Sequence, residues 1–194
     1  MDILQAIGEH HAVMEGLVPL VPEVERIAAR ITQAVHDGGT VYWFGNGGSA
    51  TQAQHFATEL VCRFEADRRG IPSVALTADT ALLTALANDY SFDAVFARQV
   101  ETLCRPGDVV CGLSTSGNSP SVLQGIDAAN AIGAFTVGLS GGDGGKLAKA
   151  ADVALVVPHS RTCRIQEAHL FLGHALCELV EQAITAEDDD VRPS

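Results

Sequence analysis

Two stretches of this chain hold more hydroxyl and glycine than a turn requires, and two others set histidine near carboxylate or amide. Residues 114–119 read Ser-Thr-Ser-Gly-Asn-Ser and are followed by Pro120. Ser119 is a good helix N-cap and Pro120 a good first-turn residue. Ser114, Thr115, Ser116 and Ser119 therefore offer four hydroxyls beside a helix N-terminus. Such an end carries roughly half a positive charge and unpaired N–H donors. The chemistry implied is phosphate binding without Lys or Arg. A plain Ser/Thr turn with one capping serine would need fewer hydroxyls.

Residues 44–50, Phe-Gly-Asn-Gly-Gly-Ser-Ala, form a second loop of this kind. Its glycines allow backbone to approach a ligand closely. Ser49 reads as the opening of a helix, with Gln52 completing a capping box. Gly45, Gly47 and Ala50 also match a relaxed dinucleotide fingerprint. That fingerprint wants an acidic residue at the end of the second strand, whereas Glu65 and Asp67 precede it. Nucleotide binding is the weaker reading.

His55 and Glu59 sit at i, i+4 and share a helix face, a spacing used by metal ligands and by surface ion pairs alike. A last helix carries Gln166, Glu167, His169 and His174 among Ile165, Leu170, Leu172 and Leu176. Two helices that each present His near a carboxylate or amide point to a shared site. Gln166 and His174 are eight residues apart, about 12 Å along a continuous helix. One ion takes both only if the helix begins after Gln166 or if they come from different protomers. His10, His11 and His36 read as surface residues near helix ends. His159, Ser160 and Arg161 follow the last strand and lie on the side where substrate would bind. Arg63, Arg68 and Arg69 follow the His55 helix and are candidates to contact phosphate or a neighbouring subunit.

The elements that must position these groups alternate along the chain. Ile3, Leu4, Ile7 and Val13 mark a first helix, broken at Pro19 and Pro22. Val24, Ile27, Ile31 and Val35 mark a second, ending at Gly38 and Gly39. Short apolar runs at 41–44, 73–77, 108–113, 135–139 and 152–157 read as strands covered on both faces. The expected fold is α/β: a three-layer αβα sandwich with a five-stranded parallel sheet and N-terminal helices. In such sheets ligands bind at the carboxyl ends of the strands, where both loops fall.

Length and charge bound the rest. The 194 residues suit one domain, expected over 1–186, with an acidic tail at 187–194 expected to be disordered. The net charge of −12 argues against nucleic acid and anionic membrane as partners. No apolar run approaches the length of a membrane span, and the N-terminus lacks the pattern of a signal peptide. The five cysteines are odd in number and lack CxxC spacing, and Cys62, Cys104 and Cys177 lie in apolar surroundings. Buried, reduced thiols in a cytoplasmic protein are expected.

Six motifs occur in order: 44–49, 55–59 (His-Phe-Ala-Thr-Glu), 88–90 (Asn-Asp-Tyr), 114–119, 141–145 (Gly-Gly-Asp-Gly-Gly) and 164–169 (Arg-Ile-Gln-Glu-Ala-His). Together they resemble the phosphoheptose isomerase, or sedoheptulose 7-phosphate isomerase, family of sugar isomerase (SIS) domain proteins. The resemblance covers nearly the whole chain apart from the acidic tail. It implies a homotetramer with active sites at subunit interfaces and one Zn2+ per active site. Its zinc ligands fall on His55, Glu59, Gln166 and His174, and its acid/base pair on Glu59 and His174. Its substrate contacts fall on Asn46, Gly47, Gly48, Ser49, Asn88, Asp89, Ser114, Thr115, Ser116, Ser119 and Gln166. The reaction implied converts sedoheptulose 7-phosphate to D-glycero-D-manno-heptose 7-phosphate through an enediolate, opening nucleotide-activated heptose biosynthesis. Other SIS-domain proteins only sense a sugar phosphate or dock on a protein. They resemble the isomerases in the hydroxyl loop and lack the catalytic Glu and His, both retained here.

Overall fold

The apolar runs become five parallel strands in a single sheet: β1 Val41–Gly45, β2 Ser73–Ala75, β3 Val109–Leu113, β4 Phe135–Gly141 and β5 Val153–Val157. Their order across the sheet is β2-β1-β3-β4-β5 in this computed structural model, which describes residues 2–191, the side chains of 187–191 excepted. Among the described residues, eight α-helices surround the sheet: α1 Ile3–Glu15, α2 Val21–His36, α3 Gly48–Val61, α4 Thr80–Asp89, α5 Ala97–Leu103, α6 Pro120–Ile132, α7 Leu147–Ala150 and α8 Thr162–Val191. Short 3-10 helices, Val18–Leu20 and Phe92–Ala94, join some of them.

The twofold alternation of strand side chains builds two cores from one sheet. Trp43 points to the layer of α2, α3 and α8, where Ile27, Ile31, Phe56, Leu60 and Leu176 are buried with it. Its neighbours Tyr42 and Phe44 point the other way, towards Phe96, Val122 and Ile126. Phe44 stacks on Phe96 with ring centroids 4.9 Å apart. Each such side chain contributes about 1.5–3 kcal/mol by leaving water. The expected αβα sandwich is therefore observed.

Boundaries shift at the sheet edges. The second strand, expected over 73–77, ends at Ala75, and the fourth runs on to Gly141. The fully buried pattern holds for β1 and β3, whereas β5 alternates buried with half-buried residues, as an edge strand does. In α1 only Val13 is buried, while Ile3, Leu4 and Ile7 are exposed. Of the five cysteines expected to be buried, Cys104, Cys111 and Cys177 are, but Cys62 at the end of α3 and Cys163 at the start of α8 are exposed. All five are free thiols. Helix α8 reaches Val191; of the acidic stretch, residues 192–194 and the side chains of 187–191 lie outside what is described.

Candidate active site

From β1 the chain moves outward to β2, then crosses back to β3, so the helices after β1 and β3 leave on opposite faces. A crevice opens at such a reversal, at the carboxyl ends of the two strands. Both loops singled out in the sequence meet there. Asn46 Nδ2 donates to Ser121 Oγ in the first turn of α6, at 2.9 Å, which ties them together.

The 114–119 loop is held by backbone. Ser114 N donates to Leu139 O (2.9 Å), and Gly117 N to Ser114 O (2.8 Å). Gly117 has φ +64° and packs against the carbonyl of Gly144, so a Cβ there would lie well inside contact distance. The 141–145 loop thereby buttresses the hydroxyl loop, and Leu147 N donates to Gly117 O at 2.9 Å. The N–H groups of Thr115 and Ser116 make no hydrogen bond among the described residues. These two donors and the start of α6 form a cradle for an anion, with the hydroxyls around it. Ser119 is the N-cap of α6 by backbone conformation, but its side chain does not cap the helix. Instead its hydroxyl accepts from Ser114 Oγ at 3.2 Å. The expected capping box at Ser49 and Gln52 does not form either. Helix α3 begins one residue earlier, at Gly48, and Gln52 Nε2 donates 2.7 Å to the carbonyl of Gln166. That acceptor, brought in by α8, replaces the local one.

Further along α3, three side chains converge. His55 Nε2 lies 3.4 Å from Glu59 Oε1 and 2.7 Å from His174 Nε2. One ligand atom from each residue falls within 4.8 Å of the other two. His55 is exposed, Glu59 and His174 half-buried. A bound cation would take both of these imidazole nitrogens as neutral ligands. Two nitrogens and a carboxylate oxygen with open approach make a donor set suited to a divalent metal. Phe64 packs on the His174 ring, centroids 5.5 Å apart.

Gln166 is not part of this cluster. Helix α8 is continuous from Thr162, so it does not begin between Gln166 and His174. The Gln166 amide instead lies over Gly48, where an added Cβ would meet Nε2 at 2.6 Å. Asn88 and Asp89 lie exposed at the end of α4, the Asn88 amide donating to Asp89 Oδ1 at 2.8 Å. His10 is not a free surface residue: its Nδ1 is 2.8 Å from Glu167 Oε2. Arg161 pairs with Glu9, and Arg164 with both Glu9 and Glu167, which fastens α1 to the start of α8. His169 is fully buried and donates from Nε2 to Ser140 O at 3.1 Å. Burial outweighs that bond and lowers its pKa to about 4.

One residue that matters for this geometry, Glu181, escaped the sequence reading, and another, Arg68, takes a partner other than the one expected. Arg68, expected at a phosphate or a neighbour, is buried against Glu181 of α8, with Nε 3.0 Å from Oε1. Glu181 also accepts from three consecutive backbone N–H groups, of Phe64, Glu65 and Ala66, at 2.7–2.8 Å. Burial would raise its pKa, but these donors and Arg68 together lower it. The available signal was a carboxylate set among Cys177, Val180 and Ile184, an apolar stripe in which a charge demands a partner.

The comparisons with known proteins agree on a family. An SIS domain model matches residues 11–141. The phosphoheptose isomerase of Aquifex aeolicus is 52% identical over 84% of this chain and 85% of its own. That of Geobacter metallireducens is 48% identical over 94% and 97%. The chain belongs to the phosphoheptose isomerase family. The structure of phosphoheptose isomerase GmhA from Neisseria gonorrhoeae superposes with a TM-score of 0.88 at 41% identity, covering 93% of this chain and 97% of that one.

Proposed function

We propose that this chain interconverts sedoheptulose 7-phosphate and D-glycero-D-manno-heptose 7-phosphate, the first step towards nucleotide-activated heptose. The observation that carries the reading is the convergence of His55 and Glu59, on the helix that begins at the glycine loop, with His174 of α8, within 4.8 Å. A sensor or docking module has no use for such a cluster.

In this reading the 114–119 loop holds the phosphate. Its hydroxyls and N–H groups, with the α6 dipole, supply the attraction that a chain of net charge −12 lacks in bulk. Asn46, Gly47, Gly48, Ser49, Asn88, Asp89 and Gln166 contact the sugar. Glu59 takes the proton from C1 and returns it to C2: its Oε1 faces His55, and the other carboxylate oxygen is left for the carbon-bound proton. His174 passes a proton between O1 and O2, so charge on the enediolate is met as it forms. The donor set fits zinc, and His55, Glu59 and His174 would hold it. When bound, zinc polarises the carbonyl and stabilises the enediolate.

Gln166 and His174 stand about 12 Å apart along the axis of the continuous α8, so in this reading a fourth ligand from Gln166 comes from a second copy of the chain. The enzyme is then a homotetramer with its sites between subunits. Exposed Ile3, Leu4 and Ile7 on α1 and Phe171 on α8 supply apolar surface for assembly. A cytoplasmic location fits the five free thiols. No helix among the described residues is long and apolar enough to cross a membrane.

The test is aldose formation from sedoheptulose 7-phosphate before and after chelation. Turnover should vanish with the metal and return with stoichiometric zinc. Full activity in a metal-free preparation would remove zinc from the account.

A further inference from the structure

The cluster draws His55 and Glu59 from α3 and His174 from α8, so its geometry depends on how these helices are fixed to each other. Hydrophobic packing alone fixes such a relation loosely along the helix axes, because apolar contacts have no direction. A directional device, and an ionic one, is present at this junction.

Arg68 spans the end of α3. Its Nη2 donates to the carbonyl of Glu59 itself (2.9 Å), and its Nη1 to those of Leu60 (2.9 Å) and Arg69 (3.0 Å). Its side chain is 1% exposed and that of its ion-pair partner Glu181 is 5% exposed. Glu181 lies seven residues beyond His174, two turns along the same face of α8. Its carboxylate also grips the 64–66 turn, the turn that sets the Phe64 ring against His174. The pair therefore connects the backbone of Glu59, the helix of His174 and the aromatic wall of the His174 ring. A buried ion pair is weak evidence of stability, since an apolar pair of similar volume often serves as well. What an apolar pair cannot do is fix direction at so many acceptors and donors at once.

We propose that Arg68 and Glu181 are positioning residues for the cluster, setting His174 against Glu59 and His55 so that the metal is held and the proton acceptor is aimed. The proposal rests on the zinc-isomerase reading above. Neither residue touches the reacting atoms.

The experiment compares three preparations: the wild type, Arg68→Lys, and the double variant Arg68→Met/Glu181→Gln. Lysine keeps the charge but cannot reach three carbonyls as a fork does. The double variant leaves no buried charge uncompensated and keeps an acceptor for the 64–66 turn. Zn2+ affinity is read by competition with a chromophoric chelator, kcat and KM on sedoheptulose 7-phosphate, and folding by circular dichroism and Tm. Both variants are expected to stay folded, to lose about 10–100-fold in zinc affinity, and to lose kcat at saturating zinc with KM little changed. A purely structural role would move Tm and leave the zinc affinity of the folded protein alone. Variants that match a zinc-binding wild type in affinity and kcat would overturn the positioning role and spare the isomerase reading. A wild type that binds no zinc would overturn both.

Discussion

The two halves of the site are built by opposite means. The proposed phosphate cradle, at the β3–α6 junction, is neutral: hydroxyls, peptide N–H groups and a glycine pressed onto a neighbouring carbonyl. The His55, Glu59 and His174 cluster, between α3 and α8, lies beside a buried ion pair that joins Glu181 of α8 to Arg68 of the segment after α3. The difference follows from the job of each half. A phosphate brings its own charge and needs donors already fixed in place. A metal-holding cluster must keep two histidines and a carboxylate within an ångström or so of one arrangement, and charge-assisted bonds enforce that.

The halves should therefore fail differently. The largest effect is expected from Gly117→Ala. The new Cβ meets the Gly144 carbonyl at a positive φ, costing about 3–5 kcal/mol by strain and overpacking. A thermal melt should show the loss and steady-state kinetics a raised KM, with zinc affinity of the folded fraction unchanged. A matching fall in zinc affinity would show that the halves are not separable.

His169 joins the halves, since α8 reaches through it to Ser140 at the end of β4, beside the 141–145 buttress. Its pKa is held down to about 4 by burial, against about 6.5 in the unfolded chain. The unfolded state therefore binds the proton more readily, and this contribution to stability is complete above pH 6.5. It is lost as pH falls towards 4, by up to about 3 kcal/mol. Denaturant melts of wild type and His169→Gln between pH 7 and 4 should diverge by that slope. Parallel curves would mean that His169 is not neutral in the fold. Glu181, its pKa lowered, adds a loss of the same sign at lower pH.

A smaller effect is expected from Gly173→Ala, next to His174. Its Cβ would run into the ring of Phe56, which is fully buried against Trp43. The helices must part slightly, at about 1–3 kcal/mol. Here the zinc affinity should drop and KM stay, the reverse of Gly117→Ala.

Legibility followed the same divide. The sheet was readable because its strands are continuous apolar runs, and the cradle because glycine and serine mark turns locally. His55 and Glu59 were readable from one helix at i, i+4. Where local rules gave way, a distant group offered a better partner. Gln52 gave up its capping box for a carbonyl of α8, and Ser119 turned its hydroxyl to Ser114. The brace was hidden because its partners, Arg68 and Glu181, are far apart in sequence. In a single sequence, a lone charge on a helix reads as a solvated one. Gly173 was silent for the same reason: its need for close approach is set by Phe56, across the helix interface.

The central claim is that the cluster on α3 and α8 performs the isomerisation, with Glu59 as the carbon base. Glu59→Gln keeps the size and removes the base. Its turnover of sedoheptulose 7-phosphate, measured on a preparation whose oligomeric state and melting match the wild type, should fall at least about 10²–10⁴-fold. Near-normal turnover by that variant would contradict the account.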